Sequence, residues 1–219
     1  MWIAGLDLSM NCSGLVKWDT DDIENTFTFK SFTNTLKWES EHIISYHDED
    51  WKNQYEKTEW FLKHILDFVK GCEVVALEDH SYDSTGLVFD IGAFIGVVKQ
   101  ELFRLGYKMI AIPPKTHKKY TTLNGNADKC ITTDRIVANF PWIKNDRELM
   151  ALKEYKSPQA DIMDAFSIAY TLNAKLDAMD GKIDIKKLKV DNKKRWEVLT
   201  ATSDSNKEQF WERPFDCRR

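Results

Sequence analysis

Four consecutive apolar residues, Val74-Val75-Ala76-Leu77, constrain this chain more than any other stretch. A strand with one wet face alternates apolar and polar side chains, so a strand that does not alternate has both faces covered. The run sits between patterns of a different period. Before it, Trp51, Tyr55, Thr58, Leu62, Ile65 and Val69 form the buried stripe of a helix over 51–70, and Gly71 stops it. After it, 85–105 reads as a second helix closed by Gly106, and 108–112 as a further strand ended by Pro113-Pro114. Strand, helix and strand in that order require a crossover, so the fold class is α/β. The chain opens differently. Residues 2–9 read as a strand, Met10 to Gly14 as a turn and 15–18 as the return of a hairpin, followed by a strand over 26–32 and an irregular stretch over 33–50.

Against this scaffold, a few acids stand in odd places. Asp7 lies in the first strand, where a charge is uncommon without a partner, unless it points to a polar face. Glu78 follows the apolar strand, at the carboxyl end where α/β sheets form ligand sites; the plain alternative is the first residue of a polar loop. Asp161 and Asp164 are three residues apart in a segment that Ser157 can cap and Pro158 can start. That spacing puts both carboxylates on one helix face, together with Ala165 and Ile168. Either they face solvent at a helix start, or they are a buried like-charged pair. At ~5 Å and an effective dielectric of ~20 such a pair repels by roughly 3 kcal/mol, which a shared proton or a bound cation would relieve. Four oxygen ligands without His or Cys suit Mg²⁺ or Mn²⁺ rather than zinc. Four converging carboxylates can hold two such ions ~3.5–4 Å apart, an arrangement that activates water and stabilises a leaving oxygen in phosphodiester hydrolysis.

Charge is distributed unevenly. The net charge is −4, but acids outnumber bases 11 to 4 over 19–59, and bases outnumber acids 7 to 2 over 181–195. Local fields rather than the sum steer a polyanion. The stretch 115–129 reads as a loop rich in lysine and hydroxyls, with Lys115, Lys118, Lys119 and Lys129 suited to phosphate contacts; a solvated lysine loop is the alternative. Asn126 can cap a helix over 127–140, and 146–155 reads as a short helix. The glycines and small residues over 86–96 suit packing on the sheet, or a helix–helix dimer seam. Apolar content falls after Leu176, which divides the chain into a core over 1–176 and a basic extension over 177–219. Four well-separated cysteines without a CxxC pair, no apolar run of ~20 residues and no basic leader before Asp7 point to a reduced cytoplasmic protein with no membrane partner.

Taken together, the motifs resemble the RuvC-type Holliday-junction resolvases of the RNase H-like nuclease superfamily. Gly5-Leu6-Asp7-Leu8-Ser9 with Ser13-Gly14 is similar to their opening motif, and Leu77-Glu78 to their (Ile/Leu)-Glu. Lys118, then Asn124-Gly125-Asn126-Ala127-Asp128-Lys129, resembles their lysine, glycine turn and second lysine. Gln159-Ala160-Asp161-Ile162-Met163-Asp164-Ala165 resembles their Gln-Ala-Asp-x-x-Asp-Ala closely. The resemblance covers roughly 1–175. It implies an RNase H-like fold, with a mixed central sheet flanked by helices on both faces. It also implies an endonuclease that cuts four-way and other branched DNA and leaves 5′-phosphates. In that reading Asp7, Glu78, Asp161 and Asp164 hold two Mg²⁺, for which Mn²⁺ can substitute, and Lys118 and Lys129 support the scissile phosphate. Two symmetric cuts call for a homodimer. Where members carry an aromatic wedge just after the Glu, this chain has Ser81 and then Tyr82, the expected DNA contact there. The acidic 19–59 region, the segment 141–157 and the basic tail exceed the compact pattern, as in a divergent viral or phage member. An ATP-binding domain of the actin and sugar-kinase type, the other reading of a strand-borne Asp, requires a second related domain and a second phosphate loop, for which this chain has no room.

Overall fold

The computed structural model describes residues 1–36, 38–79 and 88–182, with the side chains of Val88 and Phe89 excluded. Its sheet has six strands in the order β4-β3-β2-β1-β5-β6, built from β1 (Trp2–Asp7), β2 (Cys12–Asp19), β3 (Thr28–Thr33), β4 (Ile43–Ser45), β5 (Val74–Glu78) and β6 (Lys108–Ile112). The opening hairpin pairs β1 with β2 antiparallel, and β3 continues it antiparallel. β5 then joins β1 parallel and β6 joins β5 parallel, so the sheet is mixed and the apolar strand lies inside it. β4, a short parallel edge strand, lies in the stretch read as irregular; three residues are too few to carry a period-2 signal.

The helices are α1 (Ile23–Thr26), α2 (Gln54–Phe68), α3 (Val88–Arg104), α4 (Pro114–Thr122), α5 (Lys129–Asn139), α6 (Arg147–Ala151) and α7 (Gln159–Met179). They cover both faces of the sheet. Ala4, Leu6, Val75 and Leu77 face α2 and α3, packing against Phe61, Ile65, Phe94, Val98 and Leu102. Ile3, Val74, Ala76, Ile110 and Ile112 face the other way, into a core with Ile162, Phe166, Ile168 and Leu172 of α7. α7 packs across β1 and β2, with α4 and α5 along its outer flank. This explains why it is buried on nearly every side although it carries charges. No helix among the described residues is long and apolar enough to cross a membrane.

Several local expectations are corrected. Helix α2 starts at the Asn53 cap, and its buried stripe is Lys57, Phe61, Ile65 and Phe68, while Tyr55 is 72% exposed. The two large phenylalanines, not the first aromatic of the segment, set which face turns inward. The stretch read as a loop after Pro113 is mostly helix, because Pro114 sits at its first position, where a missing N–H costs nothing. Asp128, not Asn126, caps α5 by accepting from the Ile131 N–H. The short helix over 146–155 is only α6, after its Asp146 cap. α7 begins one residue later than read, with Pro158 at the cap position and no capping side chain. It also runs past the boundary drawn at 176. The extension over 183–219 lies outside the described residues.

Candidate active site

Strand geometry brings the first two acids together. β1 and β5 are parallel neighbours in register, with Gly5 opposite Ala76 and Leu6 opposite Leu77. Asp7 and Glu78 are the last residues of these strands, one step further on. Period-2 alternation puts Asp7 on the face of Ile3 and Gly5, and Glu78 on the face of Val74 and Ala76. Both are therefore on the side that α7 covers. α7 crosses there at very short range. A β-carbon built on Gly5 would lie 2.4 Å from the Ala165 carbonyl oxygen, and one built on Gly14 would lie 2.2 Å from that of Asp161. Only glycine in both strands lets the helix settle so close. The first turns of α7 then bring Asp161 and Asp164, one above the other, over the ends of β1 and β5.

The result is one open pocket of about 400 Å³, lined by Asp7, Glu78, Lys118, Lys129, Asp161 and Asp164 and edged by the β1–β2 turn. Asp161 and Asp164 are buried, which decides between the two readings of that pair. Lys129 Nζ donates to Asp161 Oδ1 and lies 3.9 Å from Asp164 Oδ2. The other two oxygens, Asp161 Oδ2 and Asp164 Oδ1, are buried without a hydrogen-bond partner among the described residues. The acids feel one another. Burial raises the Asp7 carboxyl well above its usual range, and the charges of Glu78, Asp164 and Asp161 add to this, with Lys129 opposing. Asp164 is also raised, by burial first and further by Glu78, while His117, Lys129 and Lys118 pull it back. Burial alone would lower the Lys129 ammonium, but Asp161, Asp164 and Asp7 outweigh it and the net shift is upward. Cys12 borders the pocket, but burial and Asp161 push its thiol up to about 12, so it is no nucleophile there.

Of the residues singled out from sequence, Lys115 and Lys119 are exposed on α4 and do not line the pocket, while Lys118 between them does. Tyr82 lies outside the described residues. The sequence reading missed His117. It is fully buried, with Nε2 3.0 Å from Glu78 Oε1 and Nδ1 2.9 Å from Ser167 Oγ. Ser167 Oγ is in turn 2.7 Å from Thr121 Oγ1. His117, Tyr120 and Thr121 recur at helical spacing and all are buried, a signal hidden once the stretch is taken for a loop.

The donor set fits hard divalent cations, because every candidate ligand is a carboxylate oxygen and two of them are buried without partners. Among the described residues, no three His, Cys, Asp or Glu side chains stand close enough together in this arrangement to hold one metal ion. The ammonium of Lys129 stands between the two aspartates of α7 and offsets their charge.

Among solved structures, the chain is similar to Thermus thermophilus RuvC, at a TM-score of 0.53 and 22% identity over 83% of this chain and 97% of that one. The same protein in complex with a Holliday junction substrate matches at 0.49 and 19%, over 83% and 96%. The yeast mitochondrial Holliday junction resolvase matches at 0.48 and 12%, over 90% and 79%. No family model and no curated protein matches the sequence. The first of these likenesses shows the fold: an α/β, RNase H-like sheet of the RuvC type.

Proposed function

We propose that this chain, which has the fold of RuvC, is a divalent-metal-dependent endonuclease for branched DNA, with four-way junctions as its preferred substrate. One observation carries the reading: four acids and two lysines from five separate elements line a single pocket at the carboxyl ends of two parallel strands. Asp7, Glu78, Asp161 and Asp164 would hold Mg²⁺, with Mn²⁺ as a substitute. Bound there, such ions would supply an activated water for in-line attack and a counter-charge for the departing oxygen, with a 5′-phosphate as product.

The chain's own residues do the rest. Lys118, on the pocket wall, offsets the charge that builds on the scissile phosphate. Lys129, beside Asp161 and Asp164, would be available to phosphate once cations took up the charge of those carboxylates. Exposed Lys115 and Lys119, with the basic extension over 177–219, give salt-sensitive backbone affinity. Two matched cuts across a junction call for a two-fold homodimer with one pocket per copy.

The test is cleavage of four-way, flap and duplex DNA with and without Mg²⁺. Junction cleavage that Asp161→Asn abolishes, with junction binding intact, is the expected result. Wild-type cleavage by that variant would overturn the site, and equal cleavage of all three substrates would overturn the preference.

A further inference from the structure

We infer that His117 is a positioning residue that fixes the Glu78 carboxylate for cation binding, by tying it to the same helix that carries Asp161 and Asp164. This rests on the pocket being a metal-dependent site, as proposed above. Asp161 and Asp164 are oriented directly, since both are buried and ride on a long packed helix. Glu78 is in a different position. It ends a strand, its side chain is 28% exposed, and three rotatable bonds separate its carboxylate from the sheet. Among the described residues its hydrogen-bond partner is His117.

The arrangement beneath Glu78 has a direction. A carboxylate only accepts, so His117 Nε2 donates to Oε1. On the other side of the ring, Nδ1 faces the Ser167 hydroxyl at 2.9 Å. Ser167 Oγ also lies 2.7 Å from Thr121 Oγ1 and 3.3 Å from the His117 carbonyl oxygen, to which it can donate. A hydrogen-bonded chain thus joins Thr121, Ser167, His117 and Glu78, each bond polarising the next. Ser167 lies one turn beyond Asp164, on the stripe Asp161, Asp164, Ser167. One helix face therefore holds two carboxylates itself and sets a third through a serine and a histidine.

An imidazole N–H suits this task, because it holds Oε1 from beneath and leaves Oε2 to a ligand. His117 is fully buried and both its nitrogens are engaged, so it reaches no substrate and acts only through Glu78. Partners of this kind behind metal ligands typically contribute 10–100-fold in metal affinity or activity.

The test is Mn²⁺ binding to the metal-free full chain, read from the free-Mn²⁺ EPR signal, alongside four-way-junction binding in EDTA and thermal unfolding. His117→Leu is expected to weaken Mn²⁺ binding about tenfold and to leave junction binding in EDTA unchanged. His117→Gln, which keeps an amide donor near the Nε2 position, is expected to recover most of the loss. Mn²⁺ affinity of His117→Leu within twofold of wild type overturns the inference. So does a His117→Gln variant as poor as His117→Leu, which would mean that ring packing rather than the hydrogen bond matters. Should His117→Leu fail to fold, Ser167→Ala decides: a twofold or larger loss of Mn²⁺ affinity supports the relay, and no loss overturns it. If the wild type itself neither binds Mn²⁺ nor cuts junctions, the proposed function falls and this inference falls with it. A wild type that does both, beside an unaffected His117→Leu, removes the inference alone.

Discussion

Gly14 of β2 lies against the backbone of Asp161 on α7, so closely that a β-carbon on Gly14 would stand 2.2 Å from the Asp161 carbonyl oxygen and 2.6 Å from the Ile162 nitrogen. The neighbours are backbone atoms and cannot rotate aside. Gly14→Ala is therefore expected to push the start of α7 off the sheet. It should cost about 3 kcal/mol, the upper end of the overpacking range, and should abolish cleavage by displacing Asp161. Gly96→Ala is the matched control, since nothing among the described residues lies within 4 Å of its β-carbon and it sits inside α3. That change should be neutral or stabilise by up to ~1 kcal/mol. Urea unfolding of both variants checks the pair.

The clustered acids give the metal-free protein a definite pH dependence. Asp7 and Asp164 have carboxyls raised above the unfolded value of 3.8. Above that value the folded state binds more protons than the unfolded one, so stability falls as pH climbs through the raised pKa values. Below it both states are protonated and the effect vanishes. Divalent cations oppose the loss by taking up the charge. Mg²⁺ is expected to raise the melting temperature more at pH 7 than at pH 5, with a stabilisation of about 2.7 kcal/mol at a hundred times its dissociation constant. Equal shifts at the two pH values would count against cation binding by these acids.

Lys129 supplies the counter-charge in the absence of cations. Lys129→Met should destabilise the chain in EDTA, by about 1–2 kcal/mol after discounting for a side chain 44% exposed. The deficit should shrink when Mg²⁺ is added, because the ions replace the lost positive charge. Thermal melts in the two buffers make the comparison. A deficit that is the same in both would show that Lys129 and cations do not share the aspartates.

Lys115 and Lys119 stand outside the pocket, and their side chains make no hydrogen bond or ion pair with the other described residues. Each of Lys115→Ala and Lys119→Ala is expected to weaken DNA binding alike for junction and duplex, and to reduce the salt slope by about 1. Single-turnover cleavage at saturating protein should change little. Lys118→Ala, by contrast, should slow cleavage strongly with a smaller effect on binding.

The sequence by itself determined the α/β class, the inner apolar strand, the opening hairpin and the identity of six pocket residues. These follow from signals that survive in one dimension: an unbroken apolar run, glycine at the stops, and Asp161 and Asp164 three apart. Tertiary structure decided what depends on distance between distant segments. Whether Asp161 and Asp164 were wet or buried was open until β1 and β2, with Gly5 and Gly14, allowed α7 to lie against them. The inward face of α2 keeps Ile65 and Val69 of the predicted stripe but is centred on Phe61 and Phe68, while Tyr55 turns out to solvent. His117 was invisible because its partners, Glu78 and Ser167, are 39 and 50 residues away. A pattern along the chain records which face a residue takes; only packing records what it meets there.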